Sequence, residues 1–387
     1  MAASRAPKEY HGFEQGPIRP PSESGSLLIR VSRNCPWNKC TFCPVYKNSS
    51  FSMRPVAHVI KDIDAVAHHM AALRDMADES GRIALEDTRR YLTKLSDRDH
   101  QALHAALNWM AAGMESVFLQ DANALVIKPG DIVRILTHLN RRFPWTSRIT
   151  SYARSHTVAR MSREALNDIS AAGLNRVHIG MESASNEVLD LVAKGVDKEA
   201  HVAAGRKVVE AGMELSEYVM PGLGGRSLSA SHVRETADAL NQINPHFIRF
   251  RSLAVPGSAP MHQELRAGRF EKLTDSEVAE EILLLLKNLE GITSEVRSDH
   301  ILNLFEDVEG KLPEDKDKMM DVITRFLDMP AKDRMLYQVG RRLGVFRRLD
   351  ETSDSAAAAE VERLIESYGL TPENVDEFID KMIARYI

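Results

Sequence analysis

Cys35-Pro-Trp-Asn-Lys-Cys40-Thr-Phe-Cys43 holds all three cysteines of the chain within nine residues. Buried cysteines of an ordinary core scatter along a sequence, so three confined to one loop read as a site. An odd count at such short spacings does not make a disulfide framework. The bland alternatives are three small buried hydrophobes or an incomplete zinc knuckle. Structural zinc takes four ligands, however, and the nearest downstream histidine is His58, outside the usual spacing. Three thiolates are soft ligands suited to an iron–sulfur cluster, and on a cubane they leave one iron open to a small molecule.

Working outward, Ser26-Leu-Leu-Ile-Arg-Val-Ser32 is a short β-branched run that reads as a first strand delivering the chain to the cysteine loop. Residues 1–25, rich in Pro, Gly, Ser and charge, read as a flexible leader. After the loop, about 56–113 reads as a helical insertion, with apolar spacing Val59, Ile63, Val66, Met70 and then Leu103, Leu107, Met110. A regular alternation follows. Strands are expected at Ser116 to Gln120, Arg148 to Tyr152, Arg176 to Gly180, Glu214 to Met220 and Phe247 to Leu253, with helices between them. Six strands with crossover helices predict an α/β fold, a partial (βα)6 TIM-type barrel over 26–255, with chemistry where strands end in loops. From Pro256 to residue 387 the pattern reads as an all-helical C-terminal region, opened by the capping box Thr274-Asp-Ser-Glu277.

The 387 residues carry 50 basic and 55 acidic side chains, a net charge of −5, so no global basic field exists to hold duplex nucleic acid. The longest aliphatic run, Ile282 to Leu286, is far short of the ~20 residues of a membrane span, so no membrane partner is expected. No apolar stretch of signal-peptide length precedes the first strand, which points to a cytoplasmic protein.

The cysteine loop after a first strand, followed by repeated strand–helix units, resembles the radical S-adenosylmethionine superfamily over about Leu27 to Val255. The family's commonest spacing has three residues between the first two cysteines, and this chain has four. The resemblance implies that Cys35, Cys40 and Cys43 hold a [4Fe-4S] cluster whose fourth iron is chelated by S-adenosylmethionine. It implies an oxygen-sensitive enzyme in which reductive cleavage gives a 5′-deoxyadenosyl radical that abstracts hydrogen from a small anionic substrate. An electron donor such as flavodoxin or ferredoxin is the implied partner. Phe42, just before the third cysteine, is a usual family feature.

Other family positions are carried over one by one. Gln120-Asp121-Ala122-Asn123 stands where the family has a glycine-rich turn, and Asp121 is expected to accept from the cofactor ammonium. The Gly180-Met-Glu182-Ser183 run, with Lys194 twelve residues after Glu182, resembles the branch of coproporphyrinogen oxidase and Elongator-type acetyltransferases. There the carboxylate meets ribose hydroxyls and the ammonium meets the cofactor carboxylate. Ser151 and Arg154 close the third strand at the same rim, and Gly222 and Gly224 form a glycine turn for adenine. Arg249 and Arg251 share one face of the last strand by period-two alternation, so anionic substrate groups or a buried carboxylate are expected there. Ser298-Asp299-His300 adds a candidate acid or base, with His300 taken as a substrate residue. With only three cysteines there are no ligands for an auxiliary cluster, which excludes sulfur insertion from one. The rival readings are a haem-binding chaperone of the same fold without turnover, and a cluster-only redox sensor.

Overall fold

The computed structural model describes residues 9–383; the first eight residues of the expected leader lie outside the described residues. The ten strands are β1 Leu27–Arg30, β2 Ser32–Arg33, β3 Ser52–Met53, β4 Ser116–Gln120, β5 Arg148–Ala153, β6 Arg176–Glu182, β7 Glu214–Val219, β8 Phe247–Phe250, β9 Glu295–Arg297 and β10 Gly310–Lys311. The chain divides into two compact units. The first comprises residues up to Asn38, Val45–His178 and Lys207–Glu214, and the second Lys39–Pro44, Ile179–Arg206 and Leu215–Ile387.

In the first unit β1, β4 and β5 lie side by side, with parallel pairing in register Ile29 to Leu119 and Phe118 to Thr150. The expected helical insertion is three helices, Val56–Met76, Leu85–Leu92 and Asp97–Ala111. Val59, Ile63, Val66, Met70 and Leu73 recur at helical spacing and are fully buried, while the intervening Lys61 and His68 stay exposed. Trp109 seals this packing and donates its indole N–H to the Ser116 carbonyl at 2.8 Å.

Residues 9–25 are not the flexible leader that their composition predicts. Glu14 takes a fork from Arg33 at 2.6 and 2.9 Å and an ion pair from Arg54 at 2.5 Å. The Gln120 side chain accepts from the Gly16 amide and donates to the Ile18 carbonyl, and Glu23 is wholly buried beside Ser26 and His178. Charge that looks solvated in the sequence is here bound by arginines distant in the chain.

In the second unit the rest of β6 is followed by β7, β8, β9 and β10. β7, β8 and β9 are parallel neighbours, and β10 returns antiparallel to β9. The region from residue 256 onward is therefore mainly helical, with two short strands that the sequence reading does not contain. At three and two residues they are too short to show alternation. The capping box forms as expected: the Thr274 hydroxyl accepts from Glu277 N and the Glu277 carboxylate accepts from Thr274 N, opening helix Asp275–Asn288. Farther on, Phe305, Phe326 and Tyr337 pack with ring centroids 5.2 to 6.0 Å apart, and the Tyr337 hydroxyl donates to the Leu304 carbonyl. No helix among the described residues is long and apolar enough to cross a membrane.

Candidate functional site

The cysteine loop is braced from below by the turn after β4. Asp121 is fully buried, and five donors converge on its carboxylate: Arg30 Nε and Nη2 at 3.1 and 2.8 Å, the Asn34 amide at 3.1 Å, the Ala122 amide at 3.0 Å, and the Tyr46 hydroxyl. An ionised carboxylate has about four acceptor positions, so Asp121 has none left for an ammonium. Asp121 thereby anchors the chain just before the first cysteine. Asn123 is likewise absorbed, accepting from the Arg154 amide at 3.1 Å and donating to Thr157.

Within the loop Asn34 and Asn38 adopt φ of 67° and 48°, the left-handed region that asparagine tolerates. Asn38 donates its side-chain amide to the Tyr46 carbonyl at 2.6 Å, and Lys47 Nζ donates to the Asn38 carbonyl at 2.9 Å. The Asn38 backbone N–H points at Cys35 Sγ at 3.4 Å. All three cysteines are free of disulfides and partly exposed. Arg154 lies with its guanidinium 5.1 Å from the Trp37 ring, so the structure brings this residue to the loop. Ser151 is fully buried and donates to its neighbour's carbonyl.

Segment 39–44 is held in the second unit: Thr41 N donates to Val192 O, Met261 N donates to Thr41 O, and Phe42 packs against Val188, Val192 and Leu223. Lys194 Nζ sits 5.7 Å from the Phe42 ring and 3.3 Å from Glu182 Oε1. Glu182 closes β6 with φ 63°, a strained conformation for a residue with a Cβ. A side chain at Gly180 would overlap Glu182 Oε1 and reach within 3.4 Å of Lys194 Nζ, so the glycine makes room for the pair. Both members keep side-chain exposures of only 14% and 11%.

Arg249 and Arg251 find the carboxylate that their alternation calls for: both pair with Asp299, Arg251 at 2.9 Å. Arg249 also donates to Ser216, and Arg251 stacks 4.3 Å from the Tyr218 ring. Burial opposes ionisation of Asp299, but the two guanidinium charges outweigh it and hold its carboxyl low. His300 is pushed down to about 4, by burial first and then by the Arg251 charge, and is neutral near pH 7. The glycine turn is held from a distant helix. The Gly222 amide, at φ 83°, donates at 2.6 Å to Glu281 Oε1, and a side chain at Gly224 would press on the Leu228 backbone at 3.0 Å. These glycines serve a tight turn into helix Gly225–Ile243 held by an acid, and the Gly222 N–H is taken.

A family model described as the radical SAM superfamily matches residues 29–240, more than half of the chain. The chain belongs to the radical SAM superfamily. Among curated proteins it is 22% identical over 280 residues to a tRNA uridine(34) acetyltransferase of Methanocaldococcus infernus, covering 69% of this chain and 50% of that protein. The chain thus spans about half the length of this curated relative. Solved structures that it resembles include the archaeal Methanocaldococcus infernus Elp3 (15% identity, 59% of this chain and 58% of that one, TM-score 0.42). Another is coproporphyrinogen III oxidase from Escherichia coli (14% identity, 68% and 52%, TM-score 0.45).

Membership of the radical SAM superfamily implies a [4Fe-4S] cluster and S-adenosylmethionine, and the donor set agrees with them. Cys35, Cys40 and Cys43 form no disulfide and share one loop, three soft donors of the kind such a cluster takes. Two buried acids of this radical SAM chain escaped the sequence reading. Glu217 on β7 is fully buried and neither carboxyl oxygen has a hydrogen-bond partner of regular geometry. Burial drives its carboxyl well above the usual range, the Glu182 charge pushes the same way, and Lys194 opposes. An acid at the centre of a strand, between Leu215 and Val219, was the available signal. Glu281, on helix Asp275–Asn288, gave none, because its partners lie about fifty or more residues away.

Proposed function

We propose that this protein is a radical SAM enzyme: Cys35, Cys40 and Cys43 hold a [4Fe-4S] cluster, and Glu182 and Lys194 hold S-adenosylmethionine. The observation that carries the reading is the loop that gathers all three cysteines within nine residues in a chain of this superfamily. When bound, the cluster and S-adenosylmethionine supply a 5′-deoxyadenosyl radical able to abstract hydrogen. The chain's own residues bind and orient. Asp121, Arg30 and Tyr46 fix the loop, and Asn38 donates to the Cys35 sulfur. Lys194 offers an ammonium to the cofactor carboxylate and Glu182 an acceptor to ribose hydroxyls, as their low exposure and shared space favour. Phe42 shields this pair, and Arg154 stands over Trp37 at the loop. Ser151 is assigned a supporting place beneath it.

Arg249 and Arg251 stand together at the end of β8 about Asp299, and this gathering of guanidiniums supports an anionic substrate near Arg249, Arg251 and His300. The curated relative is named for a tRNA uridine, so a nucleic-acid substrate is the second reading, and the net charge of −5 alone does not exclude it.

The test is anaerobic reconstitution with iron and sulfide, reduction by dithionite with S-adenosylmethionine present, and chromatography of the products. The expected result is 5′-deoxyadenosine from the native chain and none from Cys40→Ala. A cluster that forms without any cleavage favours the haem-chaperone or sensor reading instead.

A further inference from the structure

Four groups in the second unit form a continuous chain from the end of β6 to the glycine turn after β7. Ser183, the residue after Glu182, accepts from the Ser185 amide at 3.1 Å and shares its hydroxyl with His232 Nδ1 at 2.8 Å. The opposite ring nitrogen, His232 Nε2, faces Glu281 Oε1 at 3.6 Å. That same carboxylate oxygen accepts the Gly222 amide at 2.6 Å, and Oε2 meets the Ser229 hydroxyl. Ser183, His232 and Glu281 are each at most 4% exposed. Pro221 and Gly222 form one wall of a small cavity of about 30 Å³, and Val278 and Ile282 of the helix that carries Glu281 form another.

We infer that Glu281, acting with His232, is a positioning residue for the S-adenosylmethionine site: it clamps the turn 221–225 and ties it to Ser183, next to the cofactor-holding Glu182. The inference rests on the proposed cleavage of S-adenosylmethionine. A peptide N–H can only donate, so the turn needs an acceptor at this spot, and a carboxylate supplies a stronger one than a neutral group. Without Glu281, the Gly222 N–H would be buried with no acceptor and the turn would be free to shift. A misplacement of about 1 Å at a binding segment is enough to lose much of the binding.

The surroundings of Glu281 hold no neutralising cation. On helix Gly225–Ile243, Arg226 is engaged by Glu277 at 2.7 Å and His232 is the one titratable neighbour within ion-pair distance among the described residues. From the facing helix Lys316–Asp328, Lys316 is engaged by the Lys287 and Leu289 carbonyls. Burial raises the Glu281 carboxyl to about 7, against the hydrogen bonds from Ser229 and Gly222, and burial lowers His232 to about 4. Near neutral pH the carboxyl is divided between two forms that both suit the clamp. When protonated, Oε2–H donates to Ser229 while Oε1 still accepts from Gly222. Glutamine reproduces this neutral form, with its amide N–H₂ toward Ser229 and its oxygen toward Gly222; leucine reproduces neither.

The experiment compares the full-length native chain, Glu281→Gln and Glu281→Leu. Amide hydrogen exchange of 221–225 is read without cofactor, and the S-adenosylmethionine KM and kcat for 5′-deoxyadenosine formation are read after reconstitution. Glu281→Leu is expected to speed exchange in the turn and to raise KM by about tenfold with a smaller change in kcat, at unchanged iron content. Glu281→Gln is expected to restore both readouts and to flatten the pH dependence of KM around pH 7. Native exchange rates and native KM in Glu281→Leu would overturn the inference, as would a Glu281→Gln as impaired as Glu281→Leu. Should the native chain form no 5′-deoxyadenosine, the proposed activity fails while the exchange comparison still decides the clamp.

Discussion

The two units bury their acids in opposite ways. In the first, Asp121 lies against Arg30 at 2.8 Å, Asp62 against Arg54 at 2.5 Å, and Glu23 among Ser26, His178 and Arg148. Burial works against ionisation of Glu23, yet those donors and charges more than compensate and hold its carboxyl low, whereas at Asp62 burial outweighs Arg54 and raises the carboxyl. In the second, Glu217 and Glu281 are just as buried but have no guanidinium or ammonium within ion-pair distance among the described residues, and burial pushes both carboxyls up. A paired acid is a fastener: it loses strength when its cation is removed. An unpaired acid holds its proton to higher pH and remains responsive to whatever approaches it.

The largest expected effect tests the fastener. Asp121→Ala removes the acceptor shared by Arg30, Asn34, Ala122 and Tyr46 and leaves Arg30 the longer Glu14 contact at 3.6 Å, so stability to urea should fall by about 3 kcal/mol, and the reconstituted chain should lose iron with it. A loss below about 1 kcal/mol would place Asp121 among the incidental ion pairs. Next comes Glu217, where replacement should help. Glu217→Leu removes an unsatisfied polar group and should stabilise the chain by roughly 1–3 kcal/mol near neutral pH. Its native carboxyl keeps its proton where the unfolded chain's has lost it, so native stability falls as pH rises above the ordinary value of 4.5. The gain from Glu217→Gln should therefore grow with pH, and urea midpoints at acid and neutral pH check this.

A subtler contrast lies inside the second unit. Glu281, raised to about 7, makes stability decline as pH rises from 4.5 to 7, whereas His232, lowered to about 4, makes stability rise from pH 4 to its ordinary 6.5. The two slopes oppose each other. Glu281→Gln should tilt the pH–stability profile upward over this window and His232→Gln should tilt it downward; parallel profiles would break the assignment. The smallest effect concerns the helix that carries Glu281: Thr274→Ala removes its capping box and should cost about 1 kcal/mol, read as a lowered thermal midpoint.

Much of this architecture was legible in the sequence because it is local. β4 appears where its apolar run places it, at Ser116–Gln120, and the capping box at Thr274 is written in four consecutive residues. Glu182 and Lys194 could be singled out together because both lie in one strand–helix step, twelve residues apart, and the structure adds their contact. What the sequence concealed is nonlocal. Asp121 looked like a polar strand end because Arg30, its partner, is 91 residues away. Gly222 looked like an open backbone because the acid that occupies its amide is 59 residues downstream. The leader's charges looked solvated because Arg33 and Arg54, which bind Glu14, lie beyond its end. β9 and β10 are too short to carry a pattern at all.

The most direct test of this account is S-adenosylmethionine binding by the reconstituted Lys194→Met variant, with iron content measured on the same sample. If the Glu182–Lys194 pair holds the cofactor while the braced loop holds the cluster, iron stays at the native level and cofactor affinity falls by about tenfold or more. Native affinity in this variant, or a loss of iron in step with it, would contradict that division.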